Sequence, residues 1–304
     1  MSQITRLILF FAFILTCVSA VLITGAKLMG GLRAHAELLA FVPQYYPEQA
    51  IMLADVITGA AVILTHDDGP AFHPSWSADG SLIAYMVQYP LHNYALWIVV
   101  IDVTGREVDR FYIAPNMLTI GGIDWSPDAR QLVFSTETMV SGGVRHLYVL
   151  DIESGAKRDL HIPVGHFLRS TPLWTPEGSA ITLLTSAGGL MYLTTIPLDP
   201  VLPFTIQQLT NRHVYIALSP RLDRVIVSDN GTPKVFGIVD LVTGDYAPFP
   251  DGAPPSIVSP AWSPDGDGLL IVSDGVYLVS PENTYPPRRL IALPGAEFDP
   301  ALRP

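Results

Sequence analysis

Four aspartates, Asp55, Asp102, Asp151 and Asp240, each stand shortly before a glycine (Gly59, Gly105, Gly155 and Gly244). Carboxylates repeated in this way could pair for acid–base work or ligate calcium. Their recurrence in one local context favours turn capping, in which the side chain accepts backbone N–H groups. Asp265-Gly266-Asp267-Gly268 and His66-Asp67-Asp68-Gly69 have the outward look of calcium loops. Both lack the further spaced oxygens and the closing Glu of an EF-hand loop. His161 and His166 lie five residues apart without a carboxylate or cysteine at ligand spacing, a weak metal signal. Asp124 and Glu297 each precede an aromatic residue, Trp125 and Phe298, and His73 lies close to Trp76. Two carboxylates whose environments separate their pKa values can serve as acid and base in hydrolysis or elimination. No Gly-x-Ser-x-Gly elbow, His-Glu-x-x-His, phosphate-binding loop or Cys-x-x-Cys-His occurs. The sequence therefore assigns no catalytic residue, no metal and no cofactor.

The elements that would position these groups follow from a repeat. Trp125-Ser126-Pro127-Asp128 is echoed at Trp76-Ser77-Ala78-Asp79-Gly80, Trp174-Thr175-Pro176-Glu177-Gly178 and Trp262-Ser263-Pro264-Asp265-Gly266. Leu218-Ser219-Pro220 is a copy without its aromatic residue, and Phe298-Asp299-Pro300 begins another. Trp76, Trp125 and Trp174 are spaced by 49 residues, and the later steps shorten to 44 and 36. A period of this size marks an array of one supersecondary unit. Each copy is followed by a short apolar run, such as Leu82–Met86, Gln131–Phe134 or Leu269–Val272, that reads as a buried strand. A hairpin with the Asp…Gly turn comes next, at Trp97–Gly105, His146–Gly155 and Val235–Gly244. Four strands per unit describe a β-propeller blade.

Leu38-Leu39-Ala40-Phe41 parallels Leu82-Ile83-Ala84-Tyr85, so the first unit holds the second to fourth strands and lacks an innermost one. Ala296–Pro300 supplies the missing piece. The expected fold is all-β: a six-bladed β-propeller over residues 37–304, closed by pairing the C-terminal innermost strand with the N-terminal strands. Asp124, Glu297 and His73 would then sit at the channel mouth.

With its Trp-Ser-Pro-Asp-Gly and Asp-x-x-Thr-Gly turns in several copies, the chain resembles the TolB-type, WD-like propeller repeats of bacteria from about residue 37 to 304. The resemblance implies fold and an extracytoplasmic compartment, and leaves function open. Leu218 in place of Trp, and the missing Thr-Gly near Leu198-Asp199-Pro200 and Pro281-Glu282, depart from the pattern. Residues 1–36 replace the second domain that full-length TolB resemblance would imply.

In that segment Leu7–Ile23 carries no charge. With its flanks the run extends over residues 4–26, about long enough to cross a bilayer as one transmembrane α-helix. Val18-Ser19-Ala20 also has the small-residue pattern of a signal cleavage site, but apolar residues continue past it. An uncleaved signal-anchor is the better fit. Arg6 flanks one side, and Lys27 and Arg33 the other, so charge sets no orientation. Cys17, the only cysteine, excludes an intrachain disulfide.

The formal net charge is −11, without any Lys/Arg block, which argues against a nucleic-acid partner. The anchor leads into the second strand of the closing blade, so the face carrying the Ser-Pro-Asp-Gly turns is expected to look toward the bilayer. The opposite face presents Tyr89, His92, Tyr94, Met117, Leu118, His166, Phe167, Arg169 and Tyr215, side-chain types common at protein interfaces. The expected role is a non-catalytic, single-pass interaction module of the bacterial inner membrane, binding membrane or extracytoplasmic proteins. An extracytoplasmic hydrolase or lyase using Asp124 and Glu297 is the alternative.

Overall fold

The structure is a computed structural model. It describes residues 38–41, 50–55, 61–65, 67, 69–139, 145–163, 166–209, 214–228, 236–249, 260–263, 265–272, 276–282, 286–291 and 301–302. The chain begins with β1 (Leu38–Phe41), β2 (Met52–Asp55) and β3 (Ala61–Ile63). Then come β4 (Ala71–Trp76), β5 (Leu82–Tyr89), β6 (Ala95–Asp102) and β7 (Glu107–Ala114). The next four are β8 (Met117–Trp125), β9 (Gln131–Thr138), β10 (Arg145–Asp151) and β11 (Lys157–Leu160). They are followed by β12 (Phe167–Leu168), β13 (Leu173–Trp174), β14 (Ala180–Ala187), β15 (Leu190–Pro197) and β16 (Thr205–Gln208). The chain continues with β17 (Val214–Leu218), β18 (Arg224–Ser228), β19 (Phe236–Asp240) and β20 (Tyr246–Pro248). The last are β21 (Pro260–Trp262), β22 (Leu269–Val272), β23 (Val276–Val279), β24 (Arg288–Ile291) and β25 (Ala301–Leu302).

These strands form antiparallel sheets of the propeller kind. Five blades are built from consecutive strands: β4–β7, β8–β11, β12–β16, β17–β20 and β21–β24. The remaining sheet is composite, in the order β25-β1-β2-β3. The expected count of six whole blades is corrected to five, plus this joint sheet. The C-terminal strand pairs with the N-terminal ones as expected, Ala301 and Leu302 with Ala40 and Leu39; residues 296–300 lie outside the described ones. Leu39 aligns with Ile83, whose partner is Trp76, so Leu302 takes the register place that Trp76 holds in its own blade. Phe298 and Glu297 lie outside the described residues.

Blade interiors explain the near-continuous apolar runs. β5, β9 and β14 are buried on both faces, because each middle strand packs against neighbouring blades on either side. Outermost β16 and β20 are exposed throughout. Six apolar clusters join successive sheets in a circuit. Leu38 and Leu53 meet Ile83 and Val99; Met86 and Ile98 meet Trp125 and Phe134; Val133 and Leu147 meet Trp174 and Leu183. Leu184 meets Leu218 and Val225, Ile226 meets Trp262 and Ile271, and Leu270 and Val276 meet Met52 and Ala54. The composite sheet thus packs on a blade at each side.

The recurring turn has one construction. Ser77 Oγ donates to Asp79 Oδ1 at 2.6 Å while accepting the Leu82 N–H at 2.9 Å. Ser126 with Asp128, and Ser263 with Asp265, repeat it. The turn closes in the left-handed region, at φ 64° for Gly80, 69° for Gly178 and 72° for Gly266. Ala129 (56°) and Leu222 (61°) hold that conformation despite a Cβ.

No helix among the described residues is long and apolar enough to cross a membrane. Residues 4–26, the expected span, lie outside them.

Candidate functional site

Asp102, Asp151 and Asp240 cap turns, and the turn after Asp55 lies outside the described residues. Asp102 Oδ1 accepts the Thr104 and Arg106 N–H groups at 2.9 and 3.2 Å, and Asp240 Oδ1 those of Val242 and Thr243 at 2.8 and 2.7 Å. Asp151 binds the Ser154 N–H at 2.9 Å and its hydroxyl at 2.6 Å. Burial works against the charge on Asp102, but the bonds from Thr104 and Arg106 prevail and hold its carboxyl at about 2. Asp199 serves in the same way in the unit without Thr-Gly, accepting the Val201 N–H at 2.9 Å. Among the described residues no group of three or more His, Cys, Asp or Glu is placed to hold a metal ion.

Several of the innermost strands are irregular. Each of β4, β8 and β17 has a register shift, at Phe72/Ser75, Thr119/Ile123 and Tyr215/Ala217. In the blade of β12–β16, residues 169–172 interrupt the inner strand between β12 and β13, which both pair with β14. Bulges of this kind bend a strand where it lines a rim. His73 lies in the first of them at φ 52° and is half-buried. In β8 the bulge contains Gly121 and Gly122. A Cβ on Gly122 would stand 2.6 Å from Thr171 Oγ1, the atom that accepts its N–H at 3.1 Å.

Asp124 follows that bulge. Its Oδ2 accepts the Trp174 N–H at 2.9 Å, and its carbonyl accepts the Trp174 indole N–H at 3.3 Å. Although the residue keeps some exposed surface, its carboxyl is enclosed. Burial pushes it up to about 7 against the pull of the Trp174 and Trp125 N–H groups. Asp124 therefore ties one blade to the next, and its proton lies within reach of neutral pH. Glu297, its expected partner, lies outside the described residues, so the pair is not brought together here.

A second polar knot ties the joint-sheet side to β4–β7. Asp67 accepts the Tyr85 hydroxyl at 2.7 Å and pairs with Arg110 at 2.9 Å, and Arg110 also donates to the Tyr89 hydroxyl at 2.9 Å. Burial first, then the Asp67 charge, raises the Tyr85 phenol far above its ordinary value.

The expected partner loops divide. His92, Tyr94, Phe167 and Arg169 are exposed. Met117 is buried in the cluster between β4–β7 and β8–β11, because its backbone joins the ladder where the exposed loop was expected to run. Tyr89 is half-buried and engaged by Arg110. His166 Nδ1 lies 2.9 Å from Thr185 Oγ1, and its ring packs on Tyr192. Leu118 and Tyr215 have strand backbones in β8 and β17, and their side chains lie outside the description. The sequence reading passed over exposed Leu91 and Met139 on the same face, and Val201, Leu202, Phe204 and Val242 on the other. An apolar residue at the tip of a turn was the available signal. On the turn-bearing face a cavity of about 500 Å³ lies between β8–β11 and β12–β16, lined by Gln131, Asp151, Lys157, Arg158 and Asp199 among others.

No protein-family model matches the chain. A stretch of 65 residues is 40% identical to the uncharacterized peptidase YuxL of Bacillus subtilis, 21% of this chain and only 9% of that protein. TolB from Acinetobacter baumannii superposes with a TM-score of 0.64 at 18% identity, over 88% of this chain and 67% of that one. For putative TolB from Agrobacterium tumefaciens the values are 0.55 and 16%, over 87% and 92%. An oligogalacturonate lyase solved in complex with manganese matches at 0.53 and 14%, over 84% and 74%. Identities this low speak for architecture, and on that basis the chain has the β-propeller fold that TolB also has.

Proposed function

We propose that this chain is a non-catalytic propeller, five blades and the joint sheet, that serves as a platform for other proteins. Residues 1–36 tether it to the bacterial inner membrane, and residues 37–304 form the disc on the extracytoplasmic side. It would act as an accessory subunit of an electron-transport or envelope complex. The observation that carries the reading is the face away from the Ser-Pro-Asp-Gly turns, where Leu91, Tyr94, Met139 and Phe167 stand exposed. Arg145 lies over the Phe167 ring at 5.5 Å. Aromatic anchors beside a cation are the composition of interface hot spots. The described Asp102, Asp151, Asp240 and Asp124, by contrast, are spent on holding turns and blades together.

The test is purification of the full chain from native membranes in mild detergent. A partner in constant ratio is expected, lost in the Tyr94→Asp/Phe167→Asp variant while thermal unfolding stays unchanged. Recovery of the wild type as a lone monomer counts against the proposal.

A second reading is favoured by the Asp124 carboxyl at about 7 and by fold likeness to an oligogalacturonate lyase. In it Asp124 acts as acid or base on an acidic oligosaccharide at the channel mouth. Absence of oligogalacturonate cleavage by the wild type, or undiminished cleavage by Asp124→Asn, removes it.

A further inference from the structure

Val201, Leu202 and Phe204 are 85%, 57% and 47% exposed, and Val242 is 85% exposed. Three neighbouring apolar side chains on one loop are costly to leave in water. The loop is built to present them. Asp199 accepts the Val201 N–H on its side chain at 2.9 Å and the Leu202 N–H on its carbonyl at 3.2 Å, while Pro200 and Pro203 bracket the tip. Val242 occupies the tip of the equivalent turn in the next blade, held by Asp240 at 2.8 Å. The corresponding tips of the two blades before them carry exposed Thr104 and Glu153. Among the described turns of this kind, the apolar tips are those of the blades β12–β16 and β17–β20.

Topology says what faces them. The turns between third and fourth strands lie at the end of the ring where second strands begin. Leu38 opens β1, a second strand, so the chain reaches the disc at that same end. Residues 27–37 can span at most about 40 Å, and they follow the uncharged run Leu7–Ile23. The cluster circuit places the blade of β12–β16 across the ring from the composite sheet that receives the tether.

We propose that the tips Val201–Phe204 and Val242 seat in the interfacial layer of a lipid bilayer, giving the disc a second membrane contact opposite its tether. A disc held at one point pivots; two contacts across its width hold one face to the lipid and turn the other outward. These turns carry the carboxylates Asp199 and Asp245, Arg158 donates to the Leu198 carbonyl at 3.0 Å beside the first of them, and the chain is net acidic at −11. The contact is therefore hydrophobic and suits neutral, zwitterionic headgroups rather than anionic ones. This inference rests on the tether proposed above.

The experiment uses the full chain in phosphatidylcholine vesicles, with one nitroxide label per protein. The label is placed at native Cys17 or, in a Cys17→Ser background, at Leu202→Cys, Val242→Cys or Leu91→Cys. Collision with oxygen should exceed collision with a water-soluble nickel chelate several-fold at Leu202→Cys, Val242→Cys and Cys17, and the order should reverse at Leu91→Cys. If Cys17 lies in lipid while both tips collide with the chelate, the second contact is overturned and the tether stands. If Cys17 itself collides with the chelate, the tether fails and the proposal falls with it. Tips shielded from both reagents would mean cover by another copy of the chain, which overturns the lipid assignment.

Discussion

The Trp125 indole N–H donates to the carbonyl oxygen of Ser75 at 3.0 Å, across 50 residues of sequence. Ser75 immediately precedes Trp76, so the repeat's tryptophan latches onto the residue just before its own counterpart in the preceding blade. Trp174 reaches the Asp124 carbonyl, one place before Trp125, at 3.3 Å. Trp262 reaches that of Ala217, one place before Leu218, at 3.0 Å. Leu218 has no indole to offer and contributes packing alone, against Leu184 and Val225.

Trp125→Phe removes this latch while keeping an aromatic body in the cluster with Ile98 and Phe134. Loss of one such bond costs about 1 kcal/mol, and a thermal melt should shift down by a few degrees. An unchanged midpoint would show that packing alone holds the interface. Trp125→Ala, which also empties the site, should cost about 3–5 kcal/mol.

Asp124 should make stability depend on pH in an unusual direction. Its folded carboxyl lies at about 7, above the unfolded value of about 3.9. The folded state therefore holds the proton more tightly between these values. Its contribution is fully present below about pH 4 and is lost as pH rises through about 7, with an upper bound near 4 kcal/mol. Urea melts from pH 4 to 8 should show this loss, and Asp124→Asn should flatten the profile. Asp102, held at about 2, acts with the opposite sign. Its contribution is present above about pH 4 and disappears toward pH 2.

Asp67 is the hinge of the knot with Tyr85 and Arg110. Asp67→Ala leaves a buried phenol and a partly buried guanidinium without their shared acceptor. That should cost about 3–5 kcal/mol. Tyr85→Phe, which deletes only the donor of a 2.7 Å bond, should cost about 1–2 kcal/mol. Chemical denaturation of the two single variants and the double gives the coupling energy, and strict additivity would contradict the geometry.

Gly122→Ala places a methyl group 2.6 Å from Thr171 Oγ1 and 2.8 Å from Thr171 Cγ2. The branched threonine is stiff and cannot swing clear without cost. Destabilisation of about 1–3 kcal/mol is expected, partly recovered by Gly122→Ala/Thr171→Ala. Gly188→Ala is the control for strain without crowding, since nothing lies within 4 Å of its Cβ position at φ 56°.

Much of the ring could be read in advance because it repeats. The Trp-Ser-Pro-Asp-Gly turn and the Asp…Gly turn each impose a local hydrogen-bond pattern, and a local pattern needs no knowledge of neighbours. Asp199 shows how far this goes. Without Thr-Gly after it, it still caps its turn, because capping depends on the carboxylate and the backbone alone. Met117 and Tyr89 mark the limit. Both are loop-edge residues of interface type, yet one is buried and the other is bound by Arg110, 21 residues on.

The amino-acid sequence by itself determined the blade unit, its turns and an uncharged apolar run ahead of the disc, because periodicity, turn chemistry and charge are properties of short segments. Only the tertiary structure decided that Leu302 meets Leu39 and Ala301 meets Ala40, that Asp124 binds the Trp174 backbone, and that the apolar tips of two blades share the end of the ring where the chain arrives. Strand register and contacts between blades depend on residues about 50 positions apart or at opposite chain ends, and no short-range pattern encodes which of several equivalent partners will pack.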